Sequence, residues 1–399
     1  MSDAIPLPAG FRVAGLYCGI KKDPSNLDLA VFVSDVPASS AGVFTKNLVH
    51  GAPVKVSRER ILRTTTRAVV INSGNSNACT GDQGIADARW MTGLLATKIG
   101  CAAEDVLVCS TGVIGRFLPR EKLEAGIPAA ASALSATPEA FARAARAIMT
   151  TDTFPKQSTR TISLNGKAVR VSGTAKGAAM IGPNMATMLC VVMTDAHLSP
   201  AEADELLRHG VDRSFNCISV EGHMSTSDTV LLLANGQSQS GPLSAAAREQ
   251  LQTAIDEVTA ELAQGIIRDA EGSTHDVTID VQGTRTREDA HRIAKEVAES
   301  ALVKTAIHGG DPNWGRIVSA VGYAGVPLRE EDITLKLNGH LLYEQGTPLP
   351  FDPAVVSASL KNQRATHIEL TLTLGDASVR FWTCDLTAEY IRLNADYTT

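Results

Sequence analysis

Paired cysteines, paired histidines, basic runs and membrane-length apolar stretches are all missing from this sequence. The seven cysteines (Cys18, Cys79, Cys101, Cys109, Cys190, Cys217 and Cys384) are odd in number and form no CxxC pair. That excludes a disulfide framework and points to a reducing, cytoplasmic setting. Several lie in apolar runs, where cysteine behaves as a small hydrophobe. The nine histidines are dispersed without zinc-site spacing, so each is expected at the surface or hydrogen-bonded, and no metal is expected. Net charge is −6 with acids and bases interspersed, which argues against nucleic acid or an anionic membrane surface as a partner. No segment approaches the apolar length of a membrane span. Residues 1–15 show no basic region followed by an apolar core, so no signal peptide is expected. Neither internal repeats nor low-complexity linkers divide the chain, and domain boundaries are soft.

The 399 residues, 44% of them hydrophobic, suffice for two or three domains sharing a large core. Residues 27–33, 42–45 and 53–56 read as short strands, followed by a strand over 68–71 that runs into Asn72-Ser-Gly-Asn-Ser-Asn-Ala-Cys-Thr-Gly81. This amide-rich loop is suited to satisfying backbone groups near a site. A helix follows, capped by Asp82 and stopped by Gly100, with Ala88, Met91 and Leu95 inward. A buried strand over 106–109 empties into Ser110-Thr-Gly112. There a hydroxyl and a backbone N–H can meet at one point, as an oxyanion hole requires, or simply make a tight turn. Thr137-Pro138 opens another helix. Asn-Gly at 165–166 marks a hairpin, and further hairpins are expected at Asn338-Gly339 and Gly375-Asp376. A capping box at Ser199–Glu202 starts a helix ending at Gly210. Beyond it come a long helix from about Ala245, a strand over 276–281 and a helix over 289–302.

The chain is organised around Lys176-Gly-Ala-Ala-Met-Ile-Gly-Pro-Asn-Met-Ala-Thr-Met-Leu-Cys-Val-Val-Met193. Its second half is a short apolar run fit for a fully buried strand, and Gly177, Gly182 and Pro183 break the first half. Thr187 stands at the junction. On residue chemistry alone it is a β-branched residue opening a strand.

This stretch resembles the signature of the ornithine acetyltransferase (glutamate N-acetyltransferase) family. Further blocks match in the family's order: Asn72 to Gly81, Ser110 to Gly115, Met149-Thr-Thr-Asp152, Asp269-Ala-Glu-Gly272, Asp311-Pro-Asn-Trp-Gly-Arg316 and the end of the chain. The resemblance implies layered sheets and helices of the ornithine acetyltransferase/aminopeptidase-like type, an α/β (α+β) fold with a smaller C-terminal α/β domain over about 283–399. It implies self-cleavage between Ala186 and Thr187, giving an α chain of residues 1–186 and a β chain of 187–399 in an α2β2 heterotetramer. Thr187 is then the nucleophile, with its freed α-amine as base. Thr111 (hydroxyl) and Gly112 (N–H) match the oxyanion pair. Thr150, Thr151, Lys176, Glu271, Asn394 and Thr399 match substrate contacts, without a decision between the two threonines. Acetylornithine and glutamate are the implied substrates, no bound cofactor is implied, and acetyl-CoA is a second donor in bifunctional members.

The chain departs from the family over 221–227, where Glu221, His223, Met224 and Ser227 replace its usual residues, so no site residue is assigned there. Lys176 and Glu271 are also compatible with ordinary ion pairs. Three readings follow: a self-processed acetyltransferase, an N-terminal-nucleophile amidohydrolase or aminopeptidase releasing acetyl to water, and a non-catalytic binding paralogue.

Overall fold

The computed structural model describes residues 5–182, 188–239 and 241–396. Ala186, Thr187 and Thr399 lie outside the described residues. The first sheet has eight strands among those described, and a single bent strand organises it. Leu29–Phe44 runs 16 residues, and its pairing register shifts between Val33 and Ala38. Its first part pairs with Phe11–Leu16 and Thr66–Asn75, the latter lying parallel to Val106–Val113. Its second part pairs with Thr229–Ala234, and Leu189–Thr194, Lys167–Lys176 and Lys156–Leu164 continue the sheet.

The bend folds the two halves face to face, and side-chain alternation shows it. Ala30, Phe32, Val69, Ile71, Leu107, Leu189, Val191, Met193, Leu231 and Leu233 share one core between the halves. The intervening Leu29, Val31, Val70 and Val108 pack outward against helices Gly81–Ile99 and Arg120–Ser132. On the other outer face Cys190, Val192, Val230 and Leu232 meet helices Pro200–Arg213 and Ala245–Arg268. The result is four layers, helix–sheet–sheet–helix. Two-sided burial explains the unbroken apolar run from Met188 to Met193: each such side chain removed from water contributes about 1.5–3 kcal/mol, and no solvent face selects polar residues.

The second sheet runs in the order Thr347–Pro348, His340–Glu344, Ile333–Leu337, Ala365–Leu372, Asp276–Thr284, Ala377–Cys384, Ile218–Ser219. Helices Arg287–Glu299, Ala301–Gly309, Trp314–Gly322 and Pro353–Lys361 cover it around its own core. Position 283 falls inside its strand Asp276–Thr284. The short strand Ile218–Ser219 closes the edge of the second sheet against Ala377–Cys384, and Ile218 packs into the outer core of the first. No helix among the described residues is long and apolar enough to cross a membrane.

The layered α/β expectation holds, and so do the Asn165-Gly166 and Asn338-Gly339 hairpins, whose turn residues all have positive φ. Five local expectations fail. Residues 53–56 are not a strand but lie in helix Ala52–Arg60, with Pro53 in its first turn and arginines in its last. Two valines around a lysine satisfy both periods, and the proline and basic end decide for helix. Strands Ala365–Leu372 and Ala377–Cys384 do not pair across Gly375-Asp376; they flank Asp276–Thr284 on opposite sides. The helix expected over 289–302 breaks at Ser300, whose hydroxyl caps a second helix. The helix expected to end at Gly210 continues to Arg213. Asp82 lies in the first turn of its helix, and Thr80 holds the cap position.

Candidate active site

Strands Thr66–Asn75 and Val106–Val113 lie parallel, so their ends open together: Ser73 pairs with Thr111 and Gly74 with Gly112. The amide loop after the first strand then builds the floor. Ser110 Oγ donates to Asn72 Oδ1 (2.6 Å), Asn72 Nδ2 donates to the Asn75 carbonyl (2.8 Å), and Asn75 Nδ2 reaches the Phe117 carbonyl (3.0 Å). Gly112 has φ 128°, and a Cβ there would sit 2.4 Å from the Gly74 carbonyl carbon. Only glycine fits this backbone crossing.

Thr111 is buried, and Lys176 Nζ donates to its Oγ1 at 3.3 Å. An ammonium can only donate, so the threonine's own O–H is left free to donate elsewhere. Lys176 is itself buried at the end of its strand, opposite Leu189. Burial lowers its pKa, partly offset by the charge of Asp152.

Asp152 ties three arms of the site together. Its Oδ2 accepts from the Thr150 N–H (2.9 Å) and its Oδ1 from the Gly177 N–H (2.7 Å). Oδ1 also meets the buried Lys156 ammonium at 2.7 Å, and Lys156 reaches Asp269 Oδ2 at 2.5 Å. Asp269 in turn accepts the Thr153 N–H at 3.0 Å. Burial pushes the Asp152 carboxyl up, but Lys156, Lys176 and the hydrogen bonds outweigh it and hold the group at about 2. One buried Asp–Lys–Asp chain therefore fixes the Thr150 loop, the end of Lys176's strand and the turn before Glu271.

Glu271 projects from that turn and accepts from Asn394 Nδ2 at 3.0 Å. Gly272 makes this possible: a Cβ there would sit 2.6 Å from the Tyr390 backbone nitrogen. Helix Ala388–Ala395 thus lies directly against the turn, capped by Thr387, whose hydroxyl also donates to the Gly272 carbonyl (2.7 Å).

One pocket brings together Thr111, Gly112, Thr150, Thr151, Lys176, Glu271 and Asn394, all seven candidate residues within the described parts of the chain. Both threonines face it. An adjoining cavity of about 510 Å³ shares Thr151 and Glu271. Ser76, Ser225, Thr226 and Ser227 also line the first pocket, with Ile114, Ala179 and Met180 as its apolar part, so the 221–227 loop, from which no residue was assigned, contributes hydroxyls. Their run in the sequence, Ser-Thr-Ser, was the available signal. Asp228 and Asp269 were missed as well. Asp228 is fully buried, and its Oδ1 accepts from the N–H of Met188 at 3.0 Å, the residue that follows Thr187 in sequence. Its Oδ2 has no hydrogen-bond partner among the described residues, and burial raises its pKa well above the usual carboxylate range.

Glu221 stands near this region with both carboxylate oxygens shut off from solvent and unpartnered among the described residues. Burial pushes its pKa from 4.5 up to about 8. The folded state therefore holds a proton that the unfolded chain releases, so stability present below about pH 4.5 is lost as pH rises through about 8. Glu221→Gln is expected to melt a few degrees higher than the parent at pH 9. The difference should shrink toward pH 5. A melting profile parallel to the parent's across this range would show that the carboxyl is not buried and neutral.

The ArgJ family model matches residues 12–399. The chain belongs to the ArgJ family. Curated relatives named arginine biosynthesis bifunctional protein ArgJ agree along nearly the whole length. The one from Rhodopirellula baltica is 45% identical, covering 98% of this chain and 96% of its own. The one from Geobacter sulfurreducens is 44% identical, covering 98% and 99%. Among solved structures, ornithine acetyltransferase from Mycobacterium tuberculosis, complexed with ornithine, is 38% identical. It covers 45% of this chain and 96% of that chain, with a TM-score of 0.41. The relatives' name is that of the pathway to which the sequence motifs pointed, and membership of the ArgJ family bears out the resemblance.

Proposed function

We propose that this chain moves the acetyl group of N2-acetylornithine to glutamate through an ester on Thr187, after self-cleavage between Ala186 and Thr187. The observation that carries this reading is the pocket itself. Residues separated by up to 283 positions, Thr111 to Asn394, converge in it as a hydroxyl and N–H pair, a buried lysine and a clamped carboxylate. Family membership and the relatives' name support the pathway.

In the cleavage step Thr187 Oγ attacks the Ala186 carbonyl, the peptide C–N bond breaks, and water hydrolyses the resulting ester. The freed α-amine titrates near pH 8, close enough to neutrality to take the proton of its own hydroxyl. No histidine lines the pocket among the described residues, and none is required. Thr187 Oγ then attacks the acetyl carbonyl. The oxyanion receives the Thr111 O–H, which the Lys176 contact leaves free, and the Gly112 N–H. Collapse breaks the acetyl C–N bond, and the proton leaves with ornithine's amine. Glutamate's amine attacks the ester in turn, and Thr187 Oγ recovers its proton.

Lys176 holds a substrate carboxylate. Glu271, steadied by Asn394, holds the ornithine side-chain ammonium, and Thr399 completes that contact. Acetyl-CoA as a second donor, an α2β2 assembly and a cytoplasmic location belong to the same proposal. The word bifunctional in the relatives' name supports the second donor.

Thr111→Val keeps the shape and removes the oxyanion hydroxyl. The acetyl-transfer rate is expected to fall about 100-fold, with a modestly lower melting temperature because buried Lys176 loses an acceptor; transfer at the parent rate would remove Thr111 from the oxyanion hole. The reading as a whole is tested by steady-state kinetics with both substrates varied. A substituted-enzyme mechanism gives parallel double-reciprocal lines. Release of free acetate with no glutamate-dependent product would instead establish the hydrolase.

A further inference from the structure

We infer that the turn following the pocket forms a binding site for one divalent metal ion of the zinc class, held by His275, His308 and Asp385. The two histidines come from different elements, the turn before strand Asp276–Thr284 and the last turn of helix Ala301–Gly309, and Asp385 follows strand Ala377–Cys384. His275 Nδ1 lies 3.0 Å from Asp385 Oδ2, and His308 Nδ1 lies 3.1 Å from the same oxygen. Thr274 Oγ1 stands 2.5 Å from that oxygen and 3.0 and 3.3 Å from the two ring nitrogens. The His and Asp ligand atoms all fall within 4.8 Å of one another. A tetrahedral zinc with bonds of about 2.0–2.1 Å sets its ligands about 3.3 Å apart, close to the 3.0 and 3.1 Å that separate each histidine nitrogen from Asp385 Oδ2.

Hydrogen bonding alone accounts poorly for this cluster. Asp385 Oδ1 is already occupied by the backbone N–H groups of Thr274 and His275. Three groups then crowd onto Oδ2, which offers two lone pairs. His275 Nε2 sits 3.1 Å from the Leu360 carbonyl, which can only accept, so Nε2 carries a proton. Nδ1, aimed at the Asp385 carboxylate, is then the nitrogen that can offer its lone pair to a cation. A ring N–H donated to a backbone carbonyl is also the outer partner that metal-bound histidines habitually have. The Asp385 side chain is fully buried and His308 is 43% exposed, which gives three donors held by the fold and an open side for entry. Lys304 is held instead by Thr383 Oγ1 (3.0 Å) and the Cys384 carbonyl.

The site lies beside the substrate pocket. His275 is four residues beyond Glu271, and Asp385 is two before Thr387, which caps the helix carrying Asn394. A bound ion would tie both arms of that clamp to the second sheet. The separation of the two histidines by 33 positions explains why spacing in the sequence gave no sign of it.

The test uses the full-length protein, stripped with a chelator and titrated with Zn²⁺ by calorimetry, with bound metal counted by mass spectrometry. One zinc per chain at low micromolar free metal is expected, with a melting temperature that rises with zinc. His308→Ala, at the surface, should fold normally and bind at least about tenfold more weakly. His275→Ala should do the same, and Cys79→Ser, remote in sequence and exposed, should change nothing. Failure to bind zinc stoichiometrically would overturn the site. So would binding that survives both histidine substitutions.

Discussion

Thr187→Ala is expected to run as one full-length band at 42.1 kDa on a denaturing gel, whereas the parent protein gives two. Division into 186 and 213 residues predicts fragments of roughly 20 and 22 kDa. Acetyl transfer by the variant should fall by at least about four orders of magnitude, because it loses the nucleophile and the free amine together. Thr187→Ser, which keeps a hydroxyl, should still process and retain activity. The contrast separates loss of chemistry from loss of fold. A single band from the parent protein would remove Thr187 from the nucleophile's role.

The second large effect concerns stability. Asp152→Ala should destabilise the chain by about 3–5 kcal/mol, the range found when one partner of a buried ion pair is removed. Lys176 loses its leading counter-charge, Lys156 keeps only Asp269, and the N–H groups of Thr150 and Gly177 lose their acceptor. Because the folded state holds Asp152 at about 2 rather than 3.8, its contribution is present above about pH 4 and is lost as pH falls through about 2. Denaturant unfolding at pH 7 should therefore separate variant from parent widely, and the gap should narrow toward pH 2. Equal midpoints at pH 7 would show that the Asp152–Lys156–Asp269 chain does not hold the site. Activity should fall as well, since Thr150, Lys176 and Glu271 all hang on this network.

The parts of the fold and site that were legible in the sequence have local causes. The Asn-Gly turns, the Ser199–Glu202 capping box and the apolar run from Met188 to Met193 each carry their own physics within a few residues. The pocket residues were legible because short motifs keep their spacing wherever the chain takes them. What escaped depends on distant partners. Asp152 and Asp269 stand in matched motifs without a role of their own until Lys156 joins them, reaching Asp269 across 113 positions. Residues 53–56 fitted a strand because two valines flanking a lysine are ambiguous between periods, and the helix shows only in what surrounds them. Gly375-Asp376 does mark a reversal, but a turn does not specify which strand inserts between its arms. The bend in Leu29–Phe44 that makes the four layers has a local mark in Pro37, which cannot donate to the ladder, but a proline does not specify which strands pair on either side of it. Val33 and Ala38 bracket a register shift that only the pairing partners reveal.

The proposed mechanism rests on an acetyl group carried by Thr187, and the intact mass of the separated chains measures that directly. The processed enzyme is mixed with acetylornithine alone, quenched in acid and analysed before and after glutamate is added. The mechanism predicts one added acetyl on the chain that begins at Thr187, lost within the mixing time once glutamate is present. An unmodified β chain under saturating acetylornithine, together with undiminished transfer when glutamate follows, would contradict it and require direct transfer between the two bound substrates.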